Sequence, residues 1–179
     1  MEGENTETKV AAGRLGLRWQ ARLAGGISQG MTSASAALLA YLPAKALGLQ
    51  EGFWGAITAI AVVQTEFGAT RSSGRDQFAG AAVGGLVGAM LVSWTGQSLA
   101  GYAIAVIISM SACWLLKIST AARLAGITST IIALVPHHAS IERMMLSRVA
   151  EVGWGVTIAL GVVWIVNKGM LHVRHSSEA

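Results

Sequence analysis

The chain has 179 residues, of which 53% are apolar, 12% are charged and 22 are glycine, with a formal net charge of +4. An ordinary soluble domain carries about 25% charged residues, so this balance excludes one. The surplus of positive charge is no nucleic-acid footprint, because the basic residues gather at the ends of apolar runs as membrane topology places them.

The N-terminal stretch, 1–26, reads as a cytoplasmic tail and an interfacial basic helix. Glu2, Glu4 and Glu7 give it the wrong charge for the start of a cleavable signal peptide, and no apolar core follows them. Arg14, Arg18 and Arg22 recur every four residues, and so do Leu15, Trp19 and Leu23. On a helix this sets a basic stripe beside an apolar one. The segment is either an interfacial helix or the basic flank of the first span, and both readings place it on the cytoplasmic side.

Residues 27–167 read as a six-helix transmembrane domain. The strongest sign is the stretch between Asp76 and Lys117, forty residues without Asp, Glu, Lys or Arg. A bilayer core is crossed by about 20 apolar helical residues. The run is therefore two spans, 78–95 and 99–116, joined by a hairpin at Gly96, Gln97 and Ser98. Before it come spans at 27–49, interrupted by Pro43 and Lys45, and at 52–67. After it come 122–136, bounded by Pro136, and 149–167. Residues 168–179 form a C-terminal tail. The expected fold is all-α, a polytopic membrane protein with about six transmembrane helices.

With six spans, ten of the thirteen Lys and Arg residues fall on the side of the termini, and Lys45, Arg143 and Arg148 on the other. The positive-inside rule then puts both termini in the cytoplasm. Phe53, Trp54, Phe67, Phe78, Trp94, Tyr102 and Trp114 lie near proposed span ends, where aromatic belts form.

Gly80, Gly84 and Gly88 recur at four-residue intervals, a face that lets helices approach closely, either within the chain or between subunits. Ionisable residues in or beside spans are costly and mark solute paths or structural pairs. The candidates are Glu66, after Gln64 and Thr65, with Arg71 and Arg75 beyond it; Arg148 and Glu151, three apart on one helical face; and Lys45. The only cysteine, Cys113, lies in an apolar run, which rules out an intrachain disulfide and any paired-cysteine redox motif. His137 and His138 are adjacent and complete no ligand spacing with Glu142. No metal site, catalytic motif or cofactor is expected, and the chain does not read as an enzyme.

From Leu47 to Ala89 the sequence, LGLQEGFWGAITAIAVVQTEFGATRSSGRDQFAGAAVGGLVGA, resembles the first half of the fusaric acid resistance family, the aromatic acid exporter group. Glu51, Gly52, Phe53 and Trp54 match its entry, Gln64 its middle and Gly68, Ala69 and Thr70 its turn. Gly80, Gly84 and Gly88 match the helix that follows. The plant aluminium-activated malate transporters carry a similar acidic residue and Gly-Ala-Thr turn, here Glu66 and Gly68–Thr70. Arg148 and Glu151 before a Gly-rich helix fit the family's closing helix. The basic residue shown by the family shortly before the first of these glycines is Gln77 here, so either Arg75 or Arg71 takes its place or the role is missing.

The resemblance implies a transport protein of a bacterial inner membrane that moves small organic anions, such as aromatic carboxylates, outward. Arg71, Arg75, Lys45 and Arg148 would attract the anion, and Glu66 or Glu151 would couple its passage to protons. Exporters of this family carry two six-helix halves and a soluble domain, whereas this chain matches one half. The resemblance thus implies a homo-oligomer, most simply a dimer. The expected partners are membrane lipids and the anion, with no nucleic acid. A passive anion channel and a non-transporting scaffold or accessory subunit are the rival readings.

Overall fold

The computed structural model describes the backbone of residues 2–47, 52–135 and 140–177, and side chains from residue 18 to residue 169 within those ranges. Glu51, His137 and His138 lie outside the described residues. Six α-helices make up the described chain: α1 Glu2–Ala46, α2 Phe53–Val62, α3 Phe67–Thr95, α4 Leu99–Leu115, α5 Ala122–Leu134 and α6 Ile141–Ser177. A single 3-10 turn, Ser119–Ala121, leads into α5. Among the described residues there is no strand.

The helix boundaries follow local chemistry. Gly96 takes a left-handed φ of 64° and closes α3. Ser98 then opens α4 by accepting the Gly101 amide through its side chain at 3.1 Å. At the far end of α4 the Ile118 amide reaches back to the Cys113 carbonyl and the Lys117 amide to that of Trp114. These two bonds are a Schellman closure, which puts Lys117 at the left-handed position, φ 60°, that glycine normally fills. Lys117→Gly is expected to stabilise the protein by about 1 kcal/mol, since a side chain there costs roughly 1–2 kcal/mol. A thermal melt of the detergent-solubilised variant checks this, and a lowered midpoint would contradict it.

Contacts at the glycines fix the helix directions. Gly80 meets Ala121 and Leu124, Gly84 meets Ala125, and Gly88 meets Ser129 and Ile132, so α3 and α5 run parallel at close range. Gly74 meets Val156, Phe78 meets Gly153 and Gly85 meets Met145, so α3 and α6 run antiparallel. Gly155 packs on Thr58 and on the Gly55 carbonyl. The result is two groups of three helices sharing the α3–α6 seam. One core is Cys113, Ala121, Ala122 and Ala125, between α4 and α5 with Ala79 and Val83 of α3 against it. The other, between α1, α2 and α6, is Ala36, Ala40, Ala59, Val62, Val63, Ala159, Val162 and Val163. Alanine dominates the first and makes up half of the second, because it lets backbones approach where burial of large side chains gains little over lipid.

Two helical stretches, Phe67–Thr95 and Ile141–Gly169, are long and apolar enough to cross a bilayer, and α2, α4 and α5 are shorter apolar helices. Large apolar side chains remain exposed around the outside, among them Leu38, Ile57, Leu86, Ile107, Ile127 and Ile165. A water-soluble domain rarely shows such continuous apolar surface, whereas a lipid-facing one does. Several boundaries differ from the sequence reading: α1 is one unbroken helix from Glu2, through the expected N-terminal tail, and α6 runs on to Ser177 through the expected C-terminal one. The expected span 52–67 is helical only to Val62, after which 63–66 are non-helical. Helices α3 and α6 begin at Phe67 and Ile141, well before 78 and 149. Charged and polar residues end an apolar run without ending a helix, so hydropathy located the apolar limits of these helices and missed their polar starts.

Candidate functional site

The break after α2 is built by side chains that answer its loose backbone groups. Thr70, fully buried, donates its hydroxyl to the Glu66 carbonyl at 3.0 Å and accepts the Gln64 amide at 3.0 Å. Gln29 of α1 donates to the Val63 carbonyl at 3.1 Å, and Ser73 reaches the Ala61 carbonyl at 3.5 Å. Helix ends leave such groups open, and in an apolar setting each must find a partner. Thr70→Val removes one donor and one acceptor at once and is expected to cost about 2 kcal/mol. Unchanged thermal stability in that variant would show the bend to be held otherwise.

The bend opens a cavity of about 220 Å³, whose wall includes Ser28, Gln29 and Thr32 of α1, Gln64 and Thr65 of the bend, and Asn167 of α6. Glu66, Arg71 and Arg75 lie just past it and are exposed. The Arg75 guanidinium stands 3.6 Å from the Asp76 carboxylate, with the arginine side chain 75% exposed.

A second site lies at the other end of α2. Arg148 of α6 is buried, at 5% exposure, and its Nη1 donates to Glu151 Oε2 at 3.2 Å. The guanidinium carbon sits 4.1 Å from the centroid of the Trp54 ring, a cation–π contact from α2. Ser147 donates to the other carboxylate oxygen of Glu151 at 3.0 Å. Beside this pair is a cavity of about 360 Å³, walled by Pro43 and Ala44 of α1, Gly55 of α2, and Ser147, Glu151 and Trp154 of α6. The Trp154 indole is fixed by donation to the Ala40 carbonyl at 3.0 Å. Gly55 keeps this space open: a Cβ there would make ordinary contact with the Trp154 ring at 3.4 Å and the Glu151 carbonyl at 3.6 Å, and a longer side chain would fill the space. Lys45 is exposed nearby, its ammonium 5.8 Å above the Tyr41 ring.

Arg148 and Glu151 are therefore brought together, and Gln64 reaches the smaller cavity; Arg71, Arg75 and Glu66 stand apart from both. Gly80, Gly84 and Gly88 serve contact within the chain. Sequence reading missed Trp54 as the partner of Arg148, and missed Ser147 and Gln29. A tryptophan next to small residues in one helix, and a polar residue early in a span, were the available signals.

The fold is all-helical, with apolar helices of the kind that cross a membrane, and the family that the chain matches is one of membrane transport and resistance proteins. The profile of the fusaric acid resistance protein-like family matches residues 37–162, and the chain belongs to that family. No curated protein and no solved structure matches the chain significantly.

Proposed function

We propose that the protein exports small organic anions, aromatic carboxylates among them, across a bacterial inner membrane. The proposed topology has six spans and cytoplasmic termini. One observation carries the reading: two mostly apolar cavities, each with a few polar groups in its wall, lie at opposite ends of the ten-residue helix α2, within one three-helix group. Ten residues of helix span about 15 Å. Between the cavities the group is closed by Ala36, Ala40, Ala59, Val62 and Ala159. Such an arrangement suits a carrier in its occluded form better than an open channel, which needs a continuous wet path.

The basic start of α3 supports an assembled form. Gly74 packs on Val156, which lies eight residues after Arg148 and twelve before Lys168, midway along the apolar part of α6. Arg71 and Arg75, on the exposed face beside Gly74, thus fall within the bilayer on this reading, where an unshielded charge is costly, rather than in a cytoplasmic loop. The remaining basic residues, eight against three, still favour cytoplasmic termini. Water held between subunits would shield Arg71 and Arg75, which favours a homo-oligomer, with a dimer the simplest form. Efflux of radiolabelled benzoate from loaded proteoliposomes tests the function; no benzoate efflux, with or without a pH gradient, would refute it. Arg71→Gln combined with Arg75→Gln is expected to lower that efflux about tenfold, the factor that loss of roughly 1.4 kcal/mol of anion attraction gives. Wild-type rates in the double variant would remove these residues from the path.

A further inference from the structure

We infer that the Arg148–Glu151 pair is an exchange site, at which the carboxylate of a small apolar acid displaces Glu151 from Arg148 and Glu151 takes up a proton. The inference rests on the transport reading and adds to it a binding site and a means of coupling. Arg148 is the charged side chain most deeply buried among the described residues, and Glu151 lies between its guanidinium and the cavity. Glu151 lines the cavity and its partner Arg148 does not.

Three features set the ligand class. The guanidinium is a planar fork that accepts one carboxylate in place of another with the same geometry. The rest of the wall is apolar or aromatic, with Pro43, Ala44 and the Trp154 indole, so the body of the ligand is apolar. The volume, about 360 Å³, is at the small end of the roughly 300–1,000 Å³ typical of ligand pockets, which limits the ligand to a small acid.

The step balances in charge and atoms. The incoming anion and one proton from the medium enter; the ligand carboxylate pairs with Arg148, and Glu151 becomes a neutral acid still within reach of the Ser147 hydroxyl. A carboxylate separated from its cation in an apolar site is neutralised rather than left charged. Trp54 keeps the guanidinium in place throughout, because its contact is with the ring face and not with the carboxylate. The other described charged groups on the packed elements are exposed or paired elsewhere. Lys45 of α1 is exposed, Asp76 of α3 stands beside Arg75, Glu142 and Arg143 of α6 are exposed, and α2 has no titratable residue.

The test is calorimetric titration of the purified full chain in lipid nanodiscs with benzoate, repeated in two buffers of different ionisation enthalpy, with benzamide as the uncharged control. Wild type is expected to bind benzoate with uptake of about one proton per ligand and to ignore benzamide. Glu151→Gln, which keeps the shape of the pair, is expected to bind benzoate with no proton uptake and with an affinity that no longer falls as pH rises. Equal proton uptake in wild type and Glu151→Gln would overturn the inference, as would benzoate binding that survives Arg148→Gln in a protein with unchanged helical circular dichroism. Benzoate efflux without proton-linked binding would leave the transport reading standing and remove this one. Proton-linked binding without efflux would do the reverse.

Discussion

Arg148→Met is expected to destabilise the protein by about 3–5 kcal/mol, while Arg148→Met combined with Glu151→Met costs far less. The single change removes a buried cation, its 3.2 Å bond to Glu151 and its stacking on Trp54, and leaves the Glu151 side chain, 13% exposed, without that cation, to be held charged or neutralised by a proton at a cost either way. Most of the penalty is that carboxylate's loss of its cation. Removing both partners deletes the carboxylate along with its cation, and a buried pair replaced by apolar residues of similar volume is often neutral or better. A double-mutant cycle on detergent-solubilised protein reads this directly: the coupling between the two sites should account for most of the single-variant loss. Additive effects would show that the pair is not energetically linked, and would weaken the exchange site built on it. The comparison also says why such a pair would be kept. If apolar residues serve stability as well, the charges are retained for what they bind.

How much of this was legible in the sequence differs from element to element. The hairpin at Gly96–Ser98 was plain, because a polar triplet inside an uncharged run and a serine before a new apolar stretch are local signals. The pairing of Arg148 with Glu151 was legible for the same reason: a spacing of three on a helix fixes a shared face. The break at 63–66 was hidden. Val62 and Val63 continue an apolar run, and the bend depends on Thr70 and on Gln29, which is 34 residues away from the carbonyl it meets. The cavity beside Glu151 was also invisible, since its walls come from three helices and one wall is the missing side chain of Gly55. The glycine repeat announced a close interface but not its partner; only the contacts with Ala125 and Ser129 identify α5.

That interface carries the other large expected effect. Gly84→Ala, a single added methyl group, is expected to cost about 3 kcal/mol, at the upper end of ordinary overpacking losses, and Gly84→Leu to prevent folding. A Cβ on Gly84 would overlap the Ala125 carbonyl oxygen and lie 2.8 Å from the Ala125 Cα, so the atoms in its way are backbone and cannot rotate aside. Relief requires α3 and α5 to separate along their length. Separation would break the buried bond from the Ser129 hydroxyl to the Gly84 carbonyl at 2.9 Å and loosen the neighbouring contacts of Gly80 and Gly88. The same substitution one helix away is the control. A Cβ on Gly161 of α6 meets nothing within 4 Å, so Gly161→Ala should be neutral or stabilising by up to about 1 kcal/mol through helix propensity alone. Thermal melts of both variants in one detergent decide the matter. If Gly84→Ala melts with or above Gly161→Ala, the α3–α5 approach is looser than these contacts require. If it melts well below, the glycine face is committed to the inside of the subunit. Any contact between copies must then use another surface, and the exposed start of α3, with Arg71 and Arg75, is the one that the charge argument favours.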